Sequence, residues 1–305
     1  MNTPVLRLCL GLFAVSIGFG AESAPLAIWP GAAPGDTGGL PPEGDTSQPG
    51  KDYIAGRPII RLSNVSVPTL TVVSPPGDRN TGTAVVVFPG GGFNILALDL
   101  EGTEVCQWLN SIGVTGVLVK YRVPKRPGRP DYAAPLQDAQ RAFGIVRSRA
   151  REFGIDPSRI GALGFSAGGH LVAALSTASA GRTYPAVDAA DAVSCRPDFQ
   201  ILIYPGDIMR PTTSLHVSPE CAVTSATPPT FLVMAQDDPV HVENVLGYAV
   251  ALQSAKVPME LHVYPTGSHG FGLRLTRHFA TTWPDRAADW MRSQGWLVTH
   301  LPNPQ

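Results

Sequence analysis

Short apolar runs, rich in β-branched residues, recur along the chain from residue 69 onwards, and segments with helical spacing of apolar residues separate them. The runs VVVF at 85–88 and ILIY at 201–204 have no polar residue at alternate positions, which is typical of strands buried on both faces. The alternation predicts an α/β fold with a mostly parallel central sheet and helices on both faces. Strands are predicted at 69–73, 84–88, 116–121, 160–164, 200–204, 230–235 and 260–264, and helices at 101–111, 133–153, 168–177, 242–254 and 286–293.

The N-terminal segment has the pattern of an export signal. Arg7 precedes the apolar run 8–19, and small residues follow it. This order predicts a signal peptide at 1–23, cleaved after Gly20 or after Ser23. A membrane anchor is the alternative, but the run is shorter than the ~20 residues that cross a bilayer. We therefore expect a secreted or periplasmic protein whose mature form is not bound to the membrane.

The remaining residues, 24–305, are predicted to form a single domain, because no repeat or linker divides them. Their first part, 24–56, is rich in proline, glycine and polar residues, as in PGAAPGDTGGLPPEGDTSQPG. This composition predicts an irregular arm that lies on the domain or is partly disordered.

Composition and charge narrow the classes of function. Hydrophobic residues make up 44% of the 305 residues, and the net charge of -1 gives no basic surface for nucleic acid. No spacing of cysteine and histidine indicates a metal site, and no phosphate-binding glycine motif indicates a nucleotide cofactor. Cys106 fits the buried face of a helix. Cys195 and Cys221 lie in loop-like sequence and are the likelier disulfide pair in an oxidising compartment.

A serine lies in a sequence that can expose it as a nucleophile. Gly164, Ser166 and Gly168 form the pattern G-x-S-x-G, between a predicted buried strand and a predicted helix. The glycines permit a turn so tight that larger side chains would collide, and the turn lifts Ser166 above the carboxyl ends of the strands. Ser166 is therefore the candidate nucleophile.

A serine hydroxyl needs a base, and the base needs an acid that orients it. His269 lies in GSHGFG directly after the strand ELHVYP and is the candidate base, with His241 as a weak substitute. Asp238, after the strand FLVMAQ, is the candidate acid. Asp237 is the reserve, and whichever of the two aspartates is not the acid could cap the next helix. His170 is expected to pack or hydrogen-bond on the helix after the serine.

Backbone amides must also stabilise the oxyanion that forms during acyl transfer. The sequence FPGGGF follows the predicted strand at 84–88 and occupies the position of the HGGG loop of esterases, with proline in place of histidine. We expect the N–H groups of Gly91, Gly92 and Ala167 to be the donors, and Gly90 to shape the turn.

The chain resembles the α/β-hydrolase superfamily, and more narrowly its acetylxylan esterase-like branch of secreted bacterial hydrolases. The resemblance implies an α/β-hydrolase fold and a serine esterase without a metal or organic cofactor, in which Ser166, Asp238 and His269 match the nucleophile, acid and base. The matching segments include WPGAAPG, VVVFPGGGF, LEGTEVCQWLNSIGV, VLVKYRVP, PLQDAQRA, IGALGFSAGGHL, RPDFQILIYP, TPPTFLVMAQDD, HVENVLGYAVAL and ELHVYPTGSHGFGL.

Other matching positions look structural. Glu101, the tripeptide 120–122 and a pairing of Asp138 with Arg141 suggest a buried ion-pair network that supports the loops. Segment 206–229 departs from the family pattern and is expected to form a cap or rim.

These observations favour a carbohydrate esterase that removes O-acetyl groups from xylan or xylo-oligosaccharides. A broad small-acyl carboxylesterase or a feruloyl-type esterase is the alternative. A non-catalytic carbohydrate-binding protein is a remote third, because it would not need the serine, the acid, the histidine and the glycine loop together. The expected partner is a small-molecule or oligosaccharide ester.

Overall fold

The sequence-predicted strands all form one twisted sheet. A computed structural model describes residues 21–36, 38–177, 181–211 and 215–297, so most of the predicted signal peptide lies outside the described residues. The main strands are β1 (Thr69–Ser74), β2 (Ala84–Phe88), β3 (Thr115–Lys120), β4 (Ile160–Phe165), β5 (Gln200–Ile203), β6 (Thr230–Ala235) and β7 (Met259–Tyr264).

The order of the main strands across the sheet is β1-β3-β2-β4-β5-β6-β7. Only β1 runs antiparallel to its neighbour among these seven, and every other adjacent pair is parallel. Every residue of β2, β4, β5 and β6 is buried, as the continuous apolar runs predict. The mostly parallel α/β architecture is therefore confirmed.

The helices are α1 (Glu104–Ser111), α2 (Ala133–Ser148), α3 (Ala167–Thr177), α4 (Glu243–Ser254) and α5 (Trp283–Ser293). They cover both faces of the sheet, because the right-handed crossover from β2 to β3 runs in one direction across the sheet and those from β3 onward run in the other. The connection from β2 to β3 carries α1, whereas the connections onward through β4 and β5 carry α2 and α3. The rings of Trp108 in α1 and Trp283 in α5 are in contact, with centroids 5.3 Å apart, so these two helices share a face.

Short helical turns complete the layers. A π-helical turn, Asp99–Thr103, runs directly into α1, so the helix predicted from residue 101 begins in a wider coil. Single π-turns inside α-helices are frequent at functional sites. Here the wider coil contains the buried residue Glu101. The 3₁₀ turns are Ala189–Asp191, Pro219–Cys221 and Phe279–Thr282.

The N-terminal arm is more regular than its composition predicts. Its first residues pair with the edge strand β1, and a later part pairs with strand Arg61–Ser63, which in turn pairs with Leu96–Ala97. A two-stranded hairpin lies between these parts. Backbone pairing at three places within the arm, and at a fourth just before it, therefore orders this part of the chain despite its proline and glycine. The remaining short strands are Ala21–Glu22, Leu26–Ala27, Gly44–Asp45, Tyr53–Ile54 and Arg57–Pro58.

A buried ion pair ties the arm to the centre of the protein. The Nε atom of Arg122 lies 3.0 Å from Asp138 Oδ2, and neither side chain is exposed. Trp29, in the arm, donates its indole N–H to Asp138 Oδ1 at 2.7 Å. Asp138 pairs with Arg122 and not with Arg141, so the predicted partner is wrong.

Arg141 has different partners, although its guanidinium lies beside Trp29, the residue that donates to Asp138. Arg141 forms ion pairs with Asp188 and Asp191, at the 3₁₀ turn Ala189–Asp191. The distance from Arg141 Nη1 to Asp191 Oδ2 is 3.0 Å. The expected buried network thus exists as two clusters, and Trp29 lies between them: its indole N–H donates to Asp138, and the guanidinium of Arg141 lies 5.9 Å from the centre of its ring.

The three described cysteines are free thiols, so the predicted disulfide between Cys195 and Cys221 is wrong. Cys221 is fully buried, with its Sγ facing the carbonyl oxygen of His170 at the start of α3. Cys195 lies at the other end of the sheet, in the loop that leads into β5. Cys106 is buried as predicted. Among the described residues, no helix is both long enough and apolar enough to cross a membrane.

We predict that Trp29→Phe lowers the free energy of unfolding by about 1.5–3 kcal/mol, the range for a hydrogen bond to a charged group. The reason is that the buried carboxylate of Asp138 loses one of its donors. Urea unfolding should show a lower midpoint with an unchanged m-value. Trp108→Phe is the matched control, since the indole N–H of Trp108 makes no hydrogen bond within the described ranges. An equal loss in both variants would assign the effect to ring area alone.

Candidate active site

Ser166 occupies a strained turn between β4 and α3. Its φ angle is 52°, in the left-handed region that few residues other than glycine adopt. A Cβ on Gly164 would lie 2.1 Å from the carbonyl oxygen of Gly168, and a Cβ on Gly168 would lie 2.1 Å from that of Phe88. Only glycine fits at both positions, so the G-x-S-x-G pattern folds into the turn that its spacing predicts.

His269 and Asp238 extend from Ser166 as a hydrogen-bonded chain. The distance from Ser166 Oγ to His269 Nε2 is 2.9 Å, and that from His269 Nδ1 to Asp238 Oδ2 is 2.8 Å. Asp238 is only 5% exposed, and its Oδ1 also accepts the backbone N–H of Val240. The structure therefore brings the three predicted side chains together. The histidine beside Ser166 is His269 and not the substitute candidate His241.

The neighbouring Asp237 has a role other than capping the next helix, which is the role considered for it above. Its Oδ1 accepts the backbone N–H groups of Gly267 and Ser268, at 2.9 and 2.7 Å. These residues immediately precede His269. One aspartate thus faces the imidazole, and the other fixes the backbone that carries it.

The arrangement is suited to acyl transfer. A hydroxyl that contacts an imidazole can lose its proton to that ring during attack on a carbonyl carbon. A buried carboxylate on the far nitrogen orients the ring and stabilises the imidazolium that forms. All three side chains follow the carboxyl ends of β4, β6 and β7, the edge of a parallel sheet where ligands bind.

Backbone donors face the same place. Gly91 and Gly92 have φ angles of 135° and 62°, and a Cβ on Gly91 would collide with the backbone of Ile95. In the ranges that the structure describes, the amide N–H groups of Gly91 and Gly92 donate to no protein acceptor. Ala167 begins α3, and the first amides of a helix have no partner within it. The N–H groups of Gly91, Gly92 and Ala167 can therefore donate hydrogen bonds to an oxyanion that develops next to Ser166.

A buried carboxylate joins the glycine loop to the histidine loop. Glu101 Oε2 accepts the backbone N–H of Gly90 at 2.7 Å, and Glu101 Oε1 accepts the hydroxyl of Tyr204, also at 2.7 Å. The Tyr204 oxygen in turn accepts the N–H of Gly272 at 3.0 Å. Glu101 supports the loops as expected, but through these hydrogen bonds and not through an ion pair.

Burial governs the titration of this pair. It raises the pKa of Glu101 above the ordinary value of 4.5, although the bonds from Tyr204 and Gly90 act in the opposite direction. Burial, followed by the adjacent Glu101 carboxylate, holds the pKa of Tyr204 well above its usual range. The Tyr204 hydroxyl therefore keeps the proton that it donates to Glu101.

A cavity of about 370 Å³ opens onto Ser166 and His269. Its walls are the glycine loop, the π-turn before α1 and residues 51–61, which are the end of the N-terminal arm and the residues directly after it. No described residue of segment 206–229 lines this cavity, so its expected role as a cap or rim stays a prediction.

The other histidines near the site serve packing. His170 is buried between the rings of Phe93 and Tyr132, and its Nε2 lies 3.4 Å from Glu220 Oε1. His262, within β7, contacts Glu260. Among the residues described, no group of three or more histidine, cysteine or acidic side chains could hold a metal ion.

Comparison with known proteins gives consistent relatives. A family model described as an alpha/beta hydrolase fold matches residues 85–220. The carboxylesterase NlhH of Mycobacterium tuberculosis is 30% identical over 226 residues, which cover 65% of this chain and 69% of that protein. The chain belongs to the α/β-hydrolase superfamily.

Two further relatives of this α/β hydrolase carry names related to xylan. An acetylxylan esterase of Xylanibacter ruminicola is 32% identical over 240 residues, which cover 71% of this chain and 46% of that protein. The solved structure of an acetyl ester-xyloside bifunctional hydrolase from Caldicellulosiruptor lactoaceticus is 33% identical, with a TM-score of 0.68, and covers 90% of this chain and 97% of that one. The chain thus spans less than half the length of the acetylxylan esterase.

Three features of this hydrolase had no signal in the sequence. Tyr204 ends an apolar run and looks like a core residue. Arg274 lies in a loop without a motif, yet it is 5% exposed and contacts the arm. The arm segment 51–61 looks like solvated loop. Each could be found only from the fold, because each contact joins parts of the chain that are far apart in sequence.

We predict that Glu101→Gln changes the pH dependence of stability. A carboxyl group with a raised folded-state pKa contributes its stability below the ordinary value of 4.5, and the contribution is lost as the pH rises through the folded-state pKa. The wild-type free energy of unfolding should therefore fall above about pH 4.5, by up to about 1.4 kcal/mol per pH unit of the window. The variant should lack this decline.

Urea unfolding at several pH values measures the difference between the two proteins. Glu243→Gln, at the partly exposed start of α4, is the matched control and should leave the decline in place. Parallel curves for wild type and Glu101→Gln would contradict the raised pKa.

Proposed function

We propose that this α/β hydrolase is a serine esterase in which Ser166 is the nucleophile, His269 the base and Asp238 the acid. The hydrogen-bonded chain of these three side chains at the mouth of a cavity carries the proposal. The N–H groups of Gly91, Gly92 and Ala167 form the oxyanion hole. Relatives named as esterases support this reading of the geometry.

The proposed reaction has two halves. Ser166 Oγ attacks the ester carbonyl while His269 Nε2 takes its proton, and the oxyanion rests on the three amides. His269 then protonates the departing alcohol, which leaves Ser166 acylated. A water molecule loses a proton to His269 and attacks the acyl group, and the acid leaves as Ser166 recovers its proton. These steps need no cofactor.

Acetyl esters of xylan or xylo-oligosaccharides are the proposed substrates. The printed names of two relatives, an acetylxylan esterase and an acetyl ester-xyloside hydrolase, support this class. The cavity is open and partly polar, as a sugar requires. A broad small-acyl carboxylesterase is the second candidate, and the relatives named carboxylesterase and ethyl acetate hydrolase favour it.

We also propose that the protein works outside the cytoplasm after its leader is removed. Of the two cleavage positions, the one after Gly20 is favoured by the pairing of Ala21–Glu22 with β1. Cleavage after Ser23 would remove that pairing.

Substitutions should separate the roles of the two aspartates. We expect Ser166→Ala to lower kcat for 4-nitrophenyl acetate on the order of 10⁶-fold and Asp238→Asn to lower it about 10⁴-fold. Asp237→Asn should cost about ten-fold, because it loosens a loop that two hydrogen bonds fix. Steady-state rates with each purified variant give the comparison. The assignment fails if Ser166→Ala keeps a tenth of the wild-type rate, or if Asp237→Asn is the more damaging aspartate change.

Acetate release should distinguish the two substrate classes. We expect release from acetylated xylo-oligosaccharides with a kcat/KM at least about ten-fold above that for 4-nitrophenyl butyrate, since a sugar site adds binding energy that a simple aryl ester cannot use. Ser166→Ala is the control for spontaneous hydrolysis. Comparable turnover of butyrate, with no release from the sugar, would favour the broad carboxylesterase.

A further inference from the structure

One wall of the active-site cavity comes from the N-terminal arm. Residues 51–61 form this wall, which we call the arm wall, and it contains the hairpin Tyr53–Ile54 and Arg57–Pro58. Tyr53 is 47% exposed, an unusual state for a large aromatic side chain that lines a cavity. The arm wall faces the glycine loop across the opening.

A buried arginine fixes the arm wall to the histidine loop. Arg274 lies five residues after His269 and is 5% exposed. Its Nη1 donates to the carbonyl oxygens of Arg57 and Pro58, at 2.8 and 2.9 Å. Its other nitrogens contact carboxylates of the π-turn and of α1, with distances of 2.9 Å to Asp99 and Glu104. The arm wall is therefore a built part of the site and not a loose surface loop.

The histidine loop lines the cavity next to Ser166. His269 must protonate the leaving oxygen, so the alcohol portion of an ester has to lie next to the imidazole. His269 and Gly270 both line this cavity, together with the arm wall. An alcohol portion next to the imidazole therefore lies in the cavity that the arm wall lines.

The side chains of the arm wall offer two kinds of recognition. The Tyr53 ring provides a flat apolar face, which suits the C–H face of a pyranose. Arg61 Nη1 lies 3.6 Å from Asp52 Oδ1, so a donor and an acceptor stand side by side. Neighbouring sugar hydroxyls both donate and accept hydrogen bonds, and such a pair satisfies two of them. Ile59 and Ile95 add an apolar floor.

We propose that the arm wall is the subsite for the sugar alcohol, with Tyr53 as the stacking platform and Arg61 as a hydroxyl ligand. This inference rests on the proposed esterase function and adds the residues that select a carbohydrate over a simple alcohol. It makes substrate choice a property of the N-terminal arm, whereas the reaction depends on the loops at the ends of β4, β6 and β7.

The test compares an acetylated xylo-oligosaccharide with ethyl acetate. Both substrates give the same acetyl-enzyme, but ethanol offers neither a pyranose face for Tyr53 nor neighbouring hydroxyls for Arg61. We expect Tyr53→Ala and Arg61→Ala each to lower kcat/KM for the sugar about ten-fold, mainly through KM. The rate on ethyl acetate should stay within about three-fold of wild type, which also shows that the site is intact. Tyr53→Phe keeps the ring and should retain sugar turnover.

Phe279→Ala is the matched control, because Phe279 is a more exposed aromatic residue outside the cavity. Equal losses on both substrates, or unchanged sugar turnover in Tyr53→Ala, would overturn the subsite alone. A wild-type protein that hydrolyses ethyl acetate but no acetylated sugar would overturn both the carbohydrate substrate and the subsite, and would leave the serine esterase standing. A wild-type protein inactive on both esters would overturn the esterase proposal itself.

Discussion

The buried carboxylate of Glu101 is the contact on which the geometry of the site depends. It accepts one hydrogen bond from the glycine loop and one from Tyr204, which itself receives the N–H of Gly272. The oxyanion donors and the histidine therefore share a single support. A buried acceptor without donors would be costly, so the two loops cannot separate without exposing it. The π-turn places this side chain where a regular helix would not.

Two adjacent aspartates hold His269 in place in two different ways. Asp238 faces the imidazole from a buried position, and Asp237 holds the backbone just before His269. The ring is thus constrained from its side chain and from its loop. Small displacements at a reacting centre have large effects on rate, which gives both constraints a function in the proposed reaction.

The sequence predicts the parts of the molecule that local patterns determine. Seven strands, the helices between them and the turn at Ser166 follow from periodicity and from glycine spacing. The place after a buried strand indicates the pair Asp237 and Asp238, and the structure shows that Asp238 is the one beside His269. The arm wall could not be predicted, because its proline and glycine content indicates irregular structure. The short strands there are stabilised by partners that lie elsewhere in the chain. The disulfide was predicted from loop composition, which says nothing about distance in space. The predicted pairing of Asp138 with Arg141 is wrong because a spacing of three residues along a helix does not decide which charged groups elsewhere in the fold the two side chains contact.

The clamp made by Arg274 has a consequence for the order in which the protein assembles. Its bonds to Ile54, Arg57 and Pro58 join residues 220, 217 and 216 positions apart in the chain. Contacts of such separation form slowly, because a long loop must close before they stabilise anything. The arm is synthesised before Arg274, so this clamp can form only once the chain has reached the loop that follows β7. A chain shortened at its C-terminal end before Arg274 would therefore lack the clamp that holds the wall of its own cavity.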